Sequence, residues 1–147
     1  MPRGKIRTAE AEMPQVGNVV IFKKEITQEL IDGFAALIED FNPMHTKENF
    51  PGKEEIKKKL NIGRPIAHGM LCASLVSGPL WRLGGNGAIF GRLEKVRFIK
   101  PVQVGDTVTT RLEVLDIKNS KLQIGVRYTN QQGENVIEPT EVTLFVF

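Results

Sequence analysis

Hydrophobic positions along this chain change period once, near residue 87. Before that point they recur at helical spacing. Leu30, Ile31, Phe34, Leu37, Ile38 and Phe41 follow Thr27, whose hydroxyl suits a helix N-cap. A short β-like run, Val19-Val20-Ile21-Phe22, precedes them. From Asn49 to Asn61 the chain is polar and lysine-rich, the pattern of a surface helix or loop. From Ile66 to Val76 nearly every residue is apolar or small, which predicts a helix buried on all sides. Gly78-Pro79 predicts its kink or end, because proline cannot donate to the carbonyl four residues back.

After Gly84-Gly85-Asn86-Gly87 the period falls to two. Residues 88 to 100 read as one strand. Val108, Leu112 and Val114 alternate with polar neighbours in the next. Leu122, Ile124, Val126 and Tyr128 mark a third, joined to the second by a Lys118-Asn119-Ser120 turn. Val142, Leu144 and Val146 mark the last, after a turn near Gly133. Helices early and antiparallel strands late predict an α+β fold, with the sheet covering the apolar helix on one face. No repeat or linker divides residues 1–147, so a single domain is expected.

Composition narrows the classes. With 41% hydrophobic and 25% charged residues in 147, the chain is an ordinary globular domain with material for a core. A net charge of +3 is too small to argue for nucleic acid. Lys53, Lys57, Lys58 and Lys59, and separately Lys95, Arg97 and Lys100, read as solvated faces, with contact to an anionic ligand as the minor reading. One cysteine, Cys72, excludes an intramolecular disulfide and suits a reducing compartment. No apolar stretch is long enough to span a bilayer, and Pro2-Arg3-Gly4-Lys5 does not begin a signal peptide. A cytoplasmic protein without membrane or nucleic-acid partners is expected.

The candidate chemistry lies in two segments. Asp40-Phe41-Asn42-Pro43-Met44-His45 sets a carboxylate and an imidazole five residues apart across an Asn-Pro break. Pro43 pushes Asn42 to an extended conformation, so Asp40 and His45 flank a turn rather than share a helix face. The same Asx residues could simply cap that turn. In Arg64-Pro65-Ile66-Ala67-His68-Gly69-Met70, Gly69 stands at the first turn of the apolar helix. Its N–H has no intrahelical partner there, and the missing side chain admits a ligand carbonyl. Such an oxyanion-hole donor typically supplies about 3 kcal/mol; tight helix packing is the alternative reason for the glycine. His68 reads as a structural imidazole on a backbone bond. Ser74 could line a pocket or bond the preceding turn, and Cys72 reads as core. Two histidines and one thiol do not complete a zinc set, and the glycine-rich 84–87 segment lacks the Walker lysine. No metal and no cofactor is expected.

Asp40-Phe41-Asn42-Pro43-Met44-His45 resembles the D-x-N-P-[aliphatic]-H signature of MaoC-like (R)-specific enoyl-CoA hydratases. The resemblance extends through Arg64 to Leu75 and again through Val96 to Val108, three motifs in the family's order. It implies a hot-dog fold, an antiparallel sheet wrapped around one long helix, and a homodimer joined sheet edge to sheet edge. It implies reversible syn hydration of a trans-2-enoyl-CoA to an (R)-3-hydroxyacyl-CoA. Asp40 and His45 would be the catalytic dyad, with Asn42 helping to hold water and Gly69 donating to the thioester oxygen. Ser74, His68 and Met70 would touch substrate. The chain departs from the family where Ile38-Glu39 replaces the common Ser/Thr-Gly, where the lysine-rich segment lengthens the connection from His45 to His68, and where Pro79 interrupts the helix. Other readings stay open: an acyl-carrier-protein dehydratase, a hot-dog acyl-CoA thioesterase, and a non-catalytic acyl-thioester-binding module.

Overall fold

A computed structural model describes residues 13–147; the basic residues from Pro2 to Lys5 lie outside them. The chain runs β1 (Val19–Glu25), α1 (Gln28–Ile38), a 3-10 turn (Pro43–His45), α2 (Lys53–Leu60), α3 (Gly69–Ser74), α4 (Ser77–Gly84), β2 (Ile89–Leu93), β3 (Thr107–Lys118), β4 (Lys121–Thr129) and β5 (Asn135–Phe145). The strands form one antiparallel sheet in the order β1-β3-β4-β5-β2. Alternation decides which face is covered. Val108, Leu112, Val114, Leu122, Ile124, Val126, Tyr128, Val142 and Leu144 all point to one side and are essentially inaccessible. Register sets Leu112 against Val126, Val114 against Ile124, and Leu122 against Leu144. Leu71, Cys72 and Ala73 of α3, Val76 between the helices and Leu80 of α4 complete that core. Burial of each large side chain contributes about 1.5–3 kcal/mol. Tyr128 pins the layers together, its hydroxyl donating to the Ala73 carbonyl at 2.9 Å from within the core.

Three expectations need correction. The central helix is not one buried rod. It starts only at Gly69, Met70 on its first turn is 59% exposed, and it breaks at Leu75–Val76 before resuming as α4. Pro79 causes the break from one turn downstream: it cannot donate to the Leu75 carbonyl, and its ring crowds that carbonyl. Residues 88 to 100 are likewise not one strand. β2 ends at Leu93, and beyond it the chain meets β5 through scattered bonds: Glu94 N–H to the Glu141 carbonyl, Lys95 N–H to Thr140 Oγ1, Glu138 N–H to the Arg97 carbonyl, the Phe98–Ile137 bridge, and the Val136 carbonyl, which accepts from Ile99 and Lys100. Pro139, between those contacts on β5, has no N–H to offer, so the ladder is interrupted there. Finally, the lysine-rich segment forms a helix, α2, as one of its two readings had it, but its first residue, Lys53, is buried rather than solvated.

α1 begins as expected, with Thr27 Oγ1 accepting from the Leu30 N–H. Only its Ile31 and Ala35 are fully buried; Leu37 and Phe41 stand in solvent. It ends at Glu39, whose φ of 60° and ψ of 34° are left-handed. That explains the glycine usual at this place in the resembled family, since glycine enters the region without a Cβ penalty. No helix among the described residues is long and apolar enough to cross a membrane.

Candidate active site

Asp40 follows the left-handed turn at Glu39, its N–H bonded back to the Ala35 carbonyl at 3.1 Å. Its Oδ1 accepts from the Asn42 N–H at 3.2 Å, and the Asn42 Oδ1 accepts from Met44 N–H at 3.1 Å. The Asx residues therefore do cap the turn. That local wiring presents the His45 ring to a second segment. His45 Nδ1 lies 2.7 Å from the Ile66 carbonyl oxygen, and Ile66 N–H returns a bond to the Met44 carbonyl. A carbonyl can only accept, so Nδ1 carries the proton and Nε2 is left to face Asp40 Oδ2 at 3.7 Å.

The segment around Ile66 is held by the Pro101–Asp106 turn. Ala67 N–H donates to the Val102 carbonyl at 2.7 Å and Val104 N–H to the Pro65 carbonyl at 2.9 Å. Gln103 Oε1 accepts from the N–H groups of Gly63 and Arg64. The strand-and-turn motif thus works as a brace behind His68 and Gly69.

His68, 3% exposed, donates from Nε2 to the Asp40 carbonyl at 3.1 Å and lies 3.8 Å from Asp40 Oδ2. Its ring stacks on His45, centroids 3.6 Å apart, and tilts against Phe34 at 5.2 Å. With its proton on Nε2, its Nδ1 lone pair is buried without a partner. Asp40, at 45% side-chain exposure, is the open member of the trio, while the His45 side chain is 11% exposed.

These groups sit at the floor of a cavity of about 500 Å³. Gly69, Met70, Cys72 and Phe98 line it beside them, and Ile38, Leu60 and Ile99 form an apolar, half-exposed rim. A Cβ on Gly69 would lie 2.8 Å from the Phe98 ring, so the glycine lets that ring pack directly against the start of α3 in the cavity wall. Of the residues singled out from sequence, Asp40, His45, His68, Gly69 and Met70 come together here. Asn42 and Ser74 do not line the cavity. Asn42 is exposed and caps the turn, and the Ser74 hydroxyl donates to the Leu71 carbonyl at 2.6 Å. Phe98 and Ile66 were missed, because a buried carbonyl and an aromatic in a broken strand leave no mark in the sequence pattern.

The ligand-capable atoms of Asp40, His45 and His68 lie within 4.8 Å of one another. Their carboxylate–imidazole separations of 3.7 and 3.8 Å exceed the about 3.3 Å between tetrahedral zinc ligands. His68 Nε2 is also committed to the Asp40 carbonyl. The trio suits a shared proton or water better than an ion.

Cys72 also faces the cavity, but burial pushes its thiol up to about 12, with the Asp106 carboxylate adding to the rise. Thiolate is the nucleophile, so this residue is chemically silent near neutrality. Native protein is expected to resist iodoacetamide at pH 8 and to be alkylated in denaturant, as intact-mass measurement would show. Because the folded thiol holds its proton above its ordinary value of 9.0, folding binds protons between about 9 and 12, and stability should fall as pH rises through that window.

Known proteins resemble this chain over most of its length. An (R)-specific enoyl-CoA hydratase of Aeromonas caviae is 38% identical over 112 residues, covering 76% of this chain and 78% of that protein. A 3-hydroxybutyryl-CoA dehydratase of Methylorubrum extorquens is 32% identical over 134 residues, covering 90% and 81%. The solved structure of an A. caviae (R)-hydratase involved in PHA biosynthesis superposes with a TM-score of 0.79 at 32% identity, covering 93% of this chain and all of that one. Its likeness identifies the architecture as a hot-dog fold. The MaoC-like domain model matches residues 12–136, and the chain belongs to that family.

Proposed function

We propose that this protein is an (R)-specific enoyl-CoA hydratase, adding water reversibly to the double bond of a trans-2-enoyl-CoA. The observation that carries the reading is the pairing of Asp40 Oδ2 with His45 Nε2 at 3.7 Å, beside the N-terminal turn of α3, in one largely apolar cavity. At that separation the two groups do not bond each other well, yet one water oxygen can sit within hydrogen-bond reach of both. The thioester oxygen binds at the Gly69 N–H, where charge accumulates as water attacks C3. One proton leaves the water through the Asp40–His45 pair and one is delivered to C2 on the same face; the net change is addition of H and OH across the double bond. The Ile66 carbonyl fixes the His45 tautomer that leaves Nε2 available for this exchange. The hydratase and dehydratase names of the relatives describe the two directions of one reaction and support the same chemistry. The apolar rim of the cavity mouth suits an acyl chain, and a homodimer is the assembly proposed.

The test is incubation with crotonyl-CoA and a longer enoyl-CoA, following loss of enoyl-thioester absorbance and resolving product chirality. (R)-3-Hydroxyacyl-CoA is the expected product. Free CoA would move the protein to the thioesterases. No turnover of either CoA ester, with turnover of the carrier-protein ester, would make it a carrier-protein dehydratase.

A further inference from the structure

The segment that lengthens the connection from His45 to His68 contains one lysine unlike its neighbours. Lys58 and Lys59 are exposed, whereas Lys53 is 7% exposed. Its Nζ donates to the carbonyls of Pro43 at 3.0 Å, Thr46 at 2.9 Å, and Glu48. An ammonium has three N–H donors and no acceptor, so three carbonyls from one short loop saturate it. The position is otherwise unfavourable. Lys53 is the first residue of α2, at the positive end of the helix dipole, and its charge is withdrawn from water. Charge-assisted bonds to the loop offset both costs.

The three carbonyls bracket His45 on both sides. Pro43 opens the 3-10 turn, Thr46 closes it, and Glu48 continues the strand-less stretch beyond. We propose that Lys53 is a positioning residue: its ammonium gathers the 43–48 loop into one conformation and so aims His45 Nε2 at Asp40. Gln28 Nε2, on the His45 carbonyl at 2.8 Å, and the Ile66 carbonyl, on the ring, secure the other side of the same turn. Without Lys53 the loop loses the bonds that turn it back toward α2, and the seating of the His45 ring on the Ile66 carbonyl loosens with them. The link to turnover rests on the hydratase reading; the link to His45 does not.

Lys53→Met removes the donors while keeping an apolar stem, and Lys53→Gln keeps two donors without the charge. Both are compared with wild type and with Ile124→Val, a core change in mid-sheet that controls for general loosening. In wild-type protein the Lys53 ammonium protons are expected to be protected enough to give ¹H–¹⁵N cross-peaks, and His45 to show a single Nδ1–H tautomer by ¹⁵N shift. In both Lys53 variants the ring should average over tautomers, and the amides of Met44 to Glu48 should exchange roughly tenfold faster. Hydration kcat should fall roughly 10- to 100-fold with KM little changed, the signature of a misaimed group. Ile124→Val should do none of these. Unprotected Lys53 protons in wild type would overturn the proposal even if neither variant folds. So would an unchanged His45 tautomer in folded variants, or the same changes in Ile124→Val. Wild-type protein that hydrates no enoyl-CoA would instead refute the hydratase reading, while the NMR results still decide the role of Lys53.

Discussion

Asn in place of Asp40 is expected to lower enoyl-CoA turnover by about 10²–10⁴ while leaving the protein folded. The side chain is nearly half exposed, and its only bond within the turn is acceptance from Asn42 N–H, which an amide oxygen reproduces. What the change removes is the carboxylate facing His45. His45→Ala should cost as much activity but more stability, because it empties the space stacked on His68 and leaves the Ile66 carbonyl without its ring donor. In the proposed mechanism the two residues act on one water, so the double variant should lose little more than either single one. Steady-state kinetics beside thermal melts would separate these outcomes. Near-normal turnover in Asp40→Asn would remove the dyad from the mechanism.

Gly69→Ala should produce the second large loss, for a steric reason. The new Cβ would lie 2.8 Å from two ring carbons of Phe98 and 3.0 Å from a third, closer than real Cβ contacts allow. Phe98 is about half exposed and can swing outward, so the fold should survive. The cavity would not: the ring would move off its wall while a methyl group entered beside the Gly69 N–H. Turnover should fall roughly 100-fold, the scale of an ångström-sized misplacement of reacting groups. Adding Phe98→Leu to Gly69→Ala should recover part of the loss, a coupling that a cycle of the two variants measures. Wild-type turnover in Gly69→Ala would show that no ligand atom approaches there.

The outcome at each element follows from how local its cause is. β3 and β4 were legible because alternation over eight or more residues needs only a half-buried sheet, and the Asn119 turn joins them as read. The residues 88–100 were not, because the interruption comes from Pro139, on a strand far along the chain. α1 and its Thr27 cap were legible for the same local reason as the strands. The central helix was misread in its start and in the place of its break: the sequence shows that residues are apolar and that Pro79 interrupts them, not that Met70 faces a cavity mouth or that the chain opens as early as Leu75.

By itself, the amino-acid sequence determined the order of helices and strands, the extended break at Pro43, and the presence of a carboxylate, two imidazoles and a helix-opening glycine in three ordered motifs. Those are consequences of backbone sterics and of side-chain period, which act over a few residues. Tertiary structure alone decided which nitrogen of His45 faces Asp40, because the Ile66 carbonyl that fixes it is 21 residues away. It decided equally that Asn42 and Ser74 serve their own turns, that Phe98 walls the cavity, and that one lysine of a charged run is buried beneath the 43–48 loop. Hydrogen bonds and packing between distant segments set those features, and no short-range pattern encodes them.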